Sequence, residues 1–274
     1  MDFLTKCRDR FDSLNSVLSV GLDPIIEKFP ITKNGIKETI IFYFSEILEH
    51  FQNKIYVVKP NIAFYEQYGL DGLIALKEII KLAKKLEIPV ILDCKRGDIG
   101  NTAKVYAKAC FNEFEADAVT LSPYLGLDSL SPFFEYKEKG HFVLALTSNK
   151  GSGDFQKLSL NNGTKLYEKV FSSIVDWNNT YSNNIGAVIG ATHIDDFRNI
   201  LNRLERKSIP LLIPGVGTQG GSFVDIINLL KEFNYPLYKI FINSSSKIIY
   251  ANEEHKSKNY LDDISLEIKK MELK

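Results

Sequence analysis

Hydrophobic and polar positions along this chain repeat in a two-part pattern. Eight times, a short β-branched and apolar run ends in polar, Gly or Pro residues, and a longer segment of helical periodicity follows. The apolar runs predict strands over Ser16–Asp23, Ile55–Asn61, Pro89–Lys95, Ala118–Pro123, Phe142–Ser148, Gly186–Thr192, Pro210–Val216 and Lys239–Ser244. The intervening segments predict helices over Lys33–Gln52, Leu70–Glu87, Thr102–Phe114, Leu127–Lys139, Gly163–Tyr181, Ile194–Arg206 and Ser222–Phe233. Strands that are apolar on both faces and alternate with helices imply a parallel sheet built by right-handed crossovers. Eight of them predict closure into an α/β (β/α)8 TIM barrel that occupies 1–274 as a single domain. The structural rival is an open doubly wound sheet. Such a sheet usually carries a Gly-x-Gly-x-x-Gly turn after its first strand, and Val20-Gly21-Leu22-Asp23-Pro24 is unlike one.

No low-complexity segment or interdomain linker interrupts the pattern. The longest irregular connection, Asn149–Asn162, is rich in Asn, Gly, Ser and Lys and reads either as a lid or as a solvated loop. The charged, weakly apolar tail after Ala251 predicts a closing helix across the bottom of the barrel.

Composition narrows the function classes. The 34 Lys and Arg residues balance 34 Asp and Glu residues, so the overall field favours neither nucleic acid nor an anionic membrane, and any anion must be held by a local site. Cys7, Cys94 and Cys110 are odd in number, widely spaced and without metal-ligand pattern, which suits a reducing compartment and predicts a cytoplasmic location. The first residues lack the apolar core of a signal peptide, and no apolar run approaches the ~20 residues needed to span a bilayer. A soluble protein is expected.

The chemistry concentrates where apolar runs stop. In Val90-Ile91-Leu92-Asp93-Cys94-Lys95-Arg96-Gly97-Asp98, strand alternation puts Asp93 and Lys95 on one face and Cys94 on the other. By itself an Asp-x-Lys at a strand end reads equally well as a solubilising ion pair. Active sites of closed barrels lie at the carboxyl ends of the strands, so the residues ending each run can be collected on one rim. They are Asp23, Lys59, Asn61, Asp93, Lys95, Thr147, Ser148, the glycines Gly215, Gly217, Gly220 and Gly221, and Ser244–Lys247. Four glycines in the seventh connection suit a backbone cradle for phosphate, or else a tight turn that needs positive φ. His50, His141, His193 and His255 are scattered and form no metal-binding pair, and no Gly-x-Ser-x-Gly elbow exposes a nucleophile.

Five segments carry a resemblance to a known family. Ser19–Pro24, Lys59–Glu66, Asp93–Thr102, Leu146–Gly151 and Pro214–Gly221 resemble, in order and over nearly the whole chain, the orotidine 5′-phosphate decarboxylase family, most closely its longer bacterial type. The resemblance implies a (β/α)8 homodimer that converts orotidine 5′-phosphate to UMP and CO2 without metal or organic cofactor. It implies catalytic roles for Lys59, Asp93 and Lys95, with Asp98 and Thr102 contributed from the partner subunit. It places Asp23 and Lys59 at the ribose hydroxyls, Ser148 at the pyrimidine and Gln219 at the phosphate. One position departs from the family pattern. Ser246 stands where the family has a phosphate-gripping Arg, with Lys247 beside it. An ammonium can supply the charge of that Arg but not its planar bidentate fork.

The mechanism implied is electrostatic. Loss of CO2 from C6 leaves a carbanion that a fixed ammonium, Lys95, would stabilise and protonate. Three rivals remain at this point: a Mg²⁺-dependent sister decarboxylase of the same barrel type acting on a sugar-acid phosphate, a Schiff-base aldolase, and a catalytically weak nucleotide-binding protein.

Overall fold

A computed structural model of the chain describes residues 1–192, 194–204, 207–216 and 220–273. The chain begins with helix α1 (Phe3–Leu14), capped by Asp2, whose Oδ1 accepts from the Thr5 N–H at 3.2 Å. There follow β1 (Leu18–Gly21), α2 (Ile36–Phe51), β2 (Val57–Lys59), the short α3 (Ile62–Glu66), α4 (Gly69–Lys85) and β3 (Ile91–Arg96). Next come α5 (Gly100–Lys108), β4 (Ala118–Leu121), α6 (Leu127–Phe134), β5 (Gly140–Leu146), the one-turn α7 (Ser152–Phe155), α8 (Leu166–Thr180) and β6 (Ile185–Ile189). The last third contains α9 (Ile194–Arg203), β7 (Leu211–Ile213), α10 (Phe223–Glu232), β8 (Ile240–Ser244), α11 (Ser246–Ile249), α12 (Ala251–His255) and α13 (Tyr260–Lys269).

The eight strands run parallel in the order β2-β1-β8-β7-β6-β5-β4-β3. Parallel bridges between Val58 and Val90 and between Asn61 and Asp93 join the two ends, so the sheet closes as a (β/α)8 barrel. Every predicted strand exists; seven are shorter than their apolar runs because flanking residues turn into the connections, and β5 keeps the length of its run but begins two residues earlier, at Gly140. The large core lies between sheet and helices, from Val17, Val20 and Val58 out to Ile40, Ile79, Phe133 and Ile226. Burial of both strand faces explains why the strands read as continuous apolar runs.

The bottom of the barrel is closed by an element the periodicity did not reveal. Phe3, Leu4 and Cys7 of α1 pack into the interior layer formed by Tyr56, Val57, Ile91, Ala118, Phe142, Val188, Leu212 and Phe241. The Phe3 ring stacks on Phe241 at 5.5 Å and meets the edge of Phe142 at 5.9 Å. A Cβ at Gly140 would lie 2.6 Å from that ring, so glycine there makes room for the plug. The C-terminal tail therefore has a different job from the one expected. Its helix α13 packs outside the barrel beside α2, with the rings of Tyr260 and Tyr43 5.5 Å apart and Ile264 and Ile268 in the outer core. It is the eighth outer helix, and α1 had already filled the bottom.

The predicted helix Thr102–Phe114 also changes character midway. After Lys108 it widens into a π turn, Ala109–Glu113, which turns Cys110 and Phe111 into the core.

Candidate active site

Lys59, Asp93 and Lys95 meet at the carboxyl end of the barrel. Lys59 closes β2 and is 5% exposed; Asp93 lies on β3 and is 7% exposed. The Lys59 ammonium donates to Asp93 Oδ2 at 2.8 Å, and the Lys95 ammonium donates to Asp93 Oδ1 at 2.7 Å. Thr120 of β4 adds a third donor, its hydroxyl lying 2.8 Å from Oδ1. Burial by itself would push the Asp93 carboxyl up, but the two ammonium groups overcome it and hold that carboxyl well below the usual carboxylate range. Burial would likewise lower Lys59, yet Asp93 and then Asp23 reverse the effect and raise it above an ordinary lysine. The result is a fixed carboxylate between two ammonium groups, with the Lys95 side chain half exposed toward the barrel mouth.

Strand alternation alone does not produce this pairing. Lys95 has φ +44°, the left-handed region, and the β3–β4 ladder shifts register between Leu92 and Arg96. A left-handed conformation in a long-chain residue costs about 1–2 kcal/mol and persists only where surroundings impose it. Here the Cys94 and Lys95 N–H groups both donate to Thr120 Oγ1, at 3.1 and 3.0 Å.

Asp23 forms a second wall beside Lys59. Its Oδ1 accepts from the Asn61 N–H at 3.0 Å and its Oδ2 accepts from the Ser245 hydroxyl at 2.5 Å. The Tyr250 hydroxyl donates to the Asp23 carbonyl at 2.6 Å. A Cβ on Gly21 would fall 2.5 Å from Ser245 Cβ, so this closeness of β1 to the β8 connection requires glycine. Asn61, collected above as a rim residue, serves as the N-cap of α3, accepting from the Ala63 N–H at 3.2 Å.

The connection after β5 is folded rather than structureless. Gln156, just after α7, accepts the Thr147 N–H at 2.8 Å and donates Nε2 to the Thr147 hydroxyl at 2.9 Å, and its carbonyl accepts from the Tyr167 N–H. Ser148 follows Thr147 and sits against β6, since a Cβ on Gly190 would lie 2.7 Å from the Ser148 nitrogen.

Other predicted residues lie around this centre without joining it. Asp98 is half buried and accepts from the Ile99 N–H at 2.8 Å; it makes no salt bridge to Lys59 or Lys95 of its own chain. Thr102 is exposed in the first turn of α5. Ser246 is exposed and opens α11, and the Lys247 ammonium lies 3.9 Å from Glu254. In the glycine-rich connection, Gly215 and Gly220 have φ +94° and +88° and the Gly221 N–H donates to the Gly215 carbonyl at 3.2 Å. Gln219 lies outside the described residues, as do Gly217 and His193.

The model of the "Orotidine 5′-phosphate decarboxylase / HUMPS family" matches residues 16–257, from β1 through the connection after β8. The chain belongs to the orotidine 5′-phosphate decarboxylase / HUMPS family. It is 40% identical over 251 residues to a Herpetosiphon aurantiacus protein named orotidine 5′-phosphate decarboxylase, covering 91% of this chain and 90% of that one. A protein of the same name from Dehalococcoides mccartyi is 44% identical over 224 residues, 81% and 79% of the two chains. Among solved structures, Leishmania donovani OMP decarboxylase superposes with a TM-score of 0.78 at 30% identity, over 99% of this chain and 98% of that chain.

Ser245 was collected with the rim residues, but Thr120, Gln156 and Tyr250, which support the rim residues, were not. Thr120 left a readable signal, a lone hydroxyl inside the apolar run Ala118-Val119-Thr120-Leu121. Gln156 and Tyr250 left none: Gln156 folds back on Thr147 within an irregular connection, and Tyr250 reaches Asp23 from the far end of the chain.

Proposed function

We propose that this chain decarboxylates orotidine 5′-phosphate to UMP and CO2, as a cytoplasmic enzyme of pyrimidine biosynthesis. The observation that carries the reading is the buried Lys59–Asp93–Lys95 array at the carboxyl end of a barrel belonging to this family. A carboxylate held ionised by two ammonium groups presents a negative charge to the substrate carboxylate and a positive charge to C6.

In the proposed step the bond between C6 and the carboxylate carbon breaks and its electron pair remains on C6. The Lys95 ammonium stabilises that charge and delivers its proton to C6, CO2 departs, and solvent reprotonates Lys95. Asp93 orients Lys95 and Lys59 anchors Asp93. Asp23 and Lys59 bind the ribose hydroxyls, and Ser148 binds the pyrimidine. Gln219, Ser246 and Lys247 take the phosphate, Lys247 exchanging its long contact with Glu254 for the ligand. Binding energy from that remote phosphate serves catalysis when it is realised in the transition state.

Asp98 and Thr102 act across a homodimer in this reading. Support comes from exposed apolar side chains on α5 and the connections that precede α5 and α6, two helices packed on each other: Ile99, Val105 and Tyr124 are 59%, 61% and 84% exposed, and Leu125 is also exposed. Large exposed apolar side chains of this kind suit an interface between subunits. No helix among the described residues is long and apolar enough to cross a membrane.

The test is loss of orotidine 5′-phosphate absorbance on purified protein, with and without chelator. Turnover unaffected by chelator supports the metal-free reaction. Absence of turnover removes the proposed function, and turnover of orotidine 5′-phosphate that chelator abolishes removes the metal-free mechanism.

A further inference from the structure

We infer that Thr120 is a positioning residue for Lys95, the buried hydroxyl that sets where the proton donor stands. This rests on the decarboxylase reading above and adds a residue which that reading does not contain. The ladder between β3 and β4 is interrupted at this residue. Ile91 pairs with Ala118 and Leu92 with Val119, but the next pair is Arg96 with Leu121. Asp93, Cys94 and Lys95 therefore stand opposite Thr120 alone, and β3 bulges.

A bulge leaves backbone donors without their ladder acceptors, and an unpaired buried N–H is rare in native proteins. Thr120 Oγ1 takes two of them, from Cys94 at 3.1 Å and Lys95 at 3.0 Å. A hydroxyl has two acceptor positions and one donor. With both acceptor positions filled by backbone, its single proton is directed to Asp93 Oδ1 at 2.8 Å, so all three capacities are used. The side chain is 2% exposed and water does not compete.

Two consequences follow. The bond to the Lys95 N–H holds that residue at φ +44°, turning its side chain back to Asp93 instead of onward along the strand. The bond to Asp93 Oδ1 fixes the carboxylate oxygen to which Lys95 is attached. One atom thus positions donor and counter-charge together, and the ladder resumes beyond it with the Ser122 N–H donating to the Arg96 carbonyl at 2.8 Å.

Thr120→Val keeps the shape and removes the oxygen; Thr120→Ser keeps the oxygen. In the Val variant, kcat for orotidine 5′-phosphate falls about a hundredfold, the scale of a misplaced catalytic group, while the Kd for UMP stays within about threefold. The Ser variant keeps kcat within about fivefold of native. A Val variant with native kcat overturns the inference, as does one whose UMP affinity falls in step with kcat. A folded Ser variant that loses activity as the Val variant is expected to do overturns it too, whether or not the Val protein is soluble. If the native protein has no turnover, the decarboxylase reading fails and this inference with it; if native turnover is normal and the Val variant matches it, only this inference fails.

Discussion

Asp93→Asn probes the buried array through stability, independently of any substrate. Asn preserves the shape of the side chain and its contact with Thr120 but removes the charge that faces Lys59. The side chains of Asp93 and Lys59 are 9% and 6% exposed, so the exposed-pair value of about 0–1 kcal/mol does not apply. Stripping one partner from a buried pair costs about 3–5 kcal/mol, because the other charge stays desolvated. The nearby Asp23 carboxylate and the retained amide oxygen put this case at the lower end, about 3 kcal/mol. An unfolding entropy of about 2.1 cal/mol/K per residue gives this chain about 0.6 kcal/mol/K, so Tm falls by about 5 °C at neutral pH. The pH dependence is also determined. Asp93 titrates below its ordinary value of 3.8, so its contribution is present above that pH and is lost as pH falls through the depressed folded value. Lys59 titrates above its ordinary 10.5, so its contribution is present below that pH and is lost as pH rises through the raised folded value. The deficit of Asp93→Asn is therefore a plateau across neutral pH that shrinks at both acid and alkaline extremes. Thermal and urea unfolding of native and variant protein across pH measure it. A Tm change below about 1 °C at neutral pH, or a deficit equal at all pH values, refutes the account of the pair.

Subunit sharing is checked by mixing two inactive proteins, Lys95→Ala and Asp98→Ala. If Asp98 acts across the interface, one site of each heterodimer regains both native groups and activity returns; no recovery despite demonstrated subunit exchange places Asp98 in its own subunit's site. Lys247→Ala raises KM for orotidine 5′-phosphate by about tenfold with kcat nearly unchanged, the signature of lost uniform binding, and an unchanged KM removes Lys247 from the phosphate site. Gly190→Ala drives a methyl group to 2.7 Å from the Ser148 nitrogen. It lowers Tm by the equivalent of about 1–3 kcal/mol of overpacking and raises KM for the nucleotide; a variant with native Tm and KM shows that the two segments move apart freely.

The architecture was readable because the two periodicities alternate cleanly, and both faces of each strand are buried. What escaped reading is physically specific. Helix α1 commits only Phe3, Leu4 and Cys7 to the interior, too few positions to raise its apolar signal above a charged surface helix. The charged, weakly apolar tail has the pattern of a closing helix, which does not tell a bottom plug from an outer helix, and Phe3 occupies the bottom. Asp93 and Lys95 were found together as expected, but by a bulge and a left-handed residue that alternation does not contain. Ser245 was placed on the rim without a partner, and its bond to Asp23 depends on the close approach of the two connections at Gly21. Rim membership follows from strand ends; the hydrogen bonds that orient each rim residue depend on partners brought together only by closure of the barrel.

Lys95 is proposed to carry both the charge and the proton of decarboxylation. The most direct test is orotidine 5′-phosphate turnover by purified Lys95→Ala protein, with UMP binding measured by calorimetry on the same sample. The account predicts that turnover is abolished while the Kd for UMP stays within about threefold of native. Retained turnover in a protein that still binds UMP contradicts it.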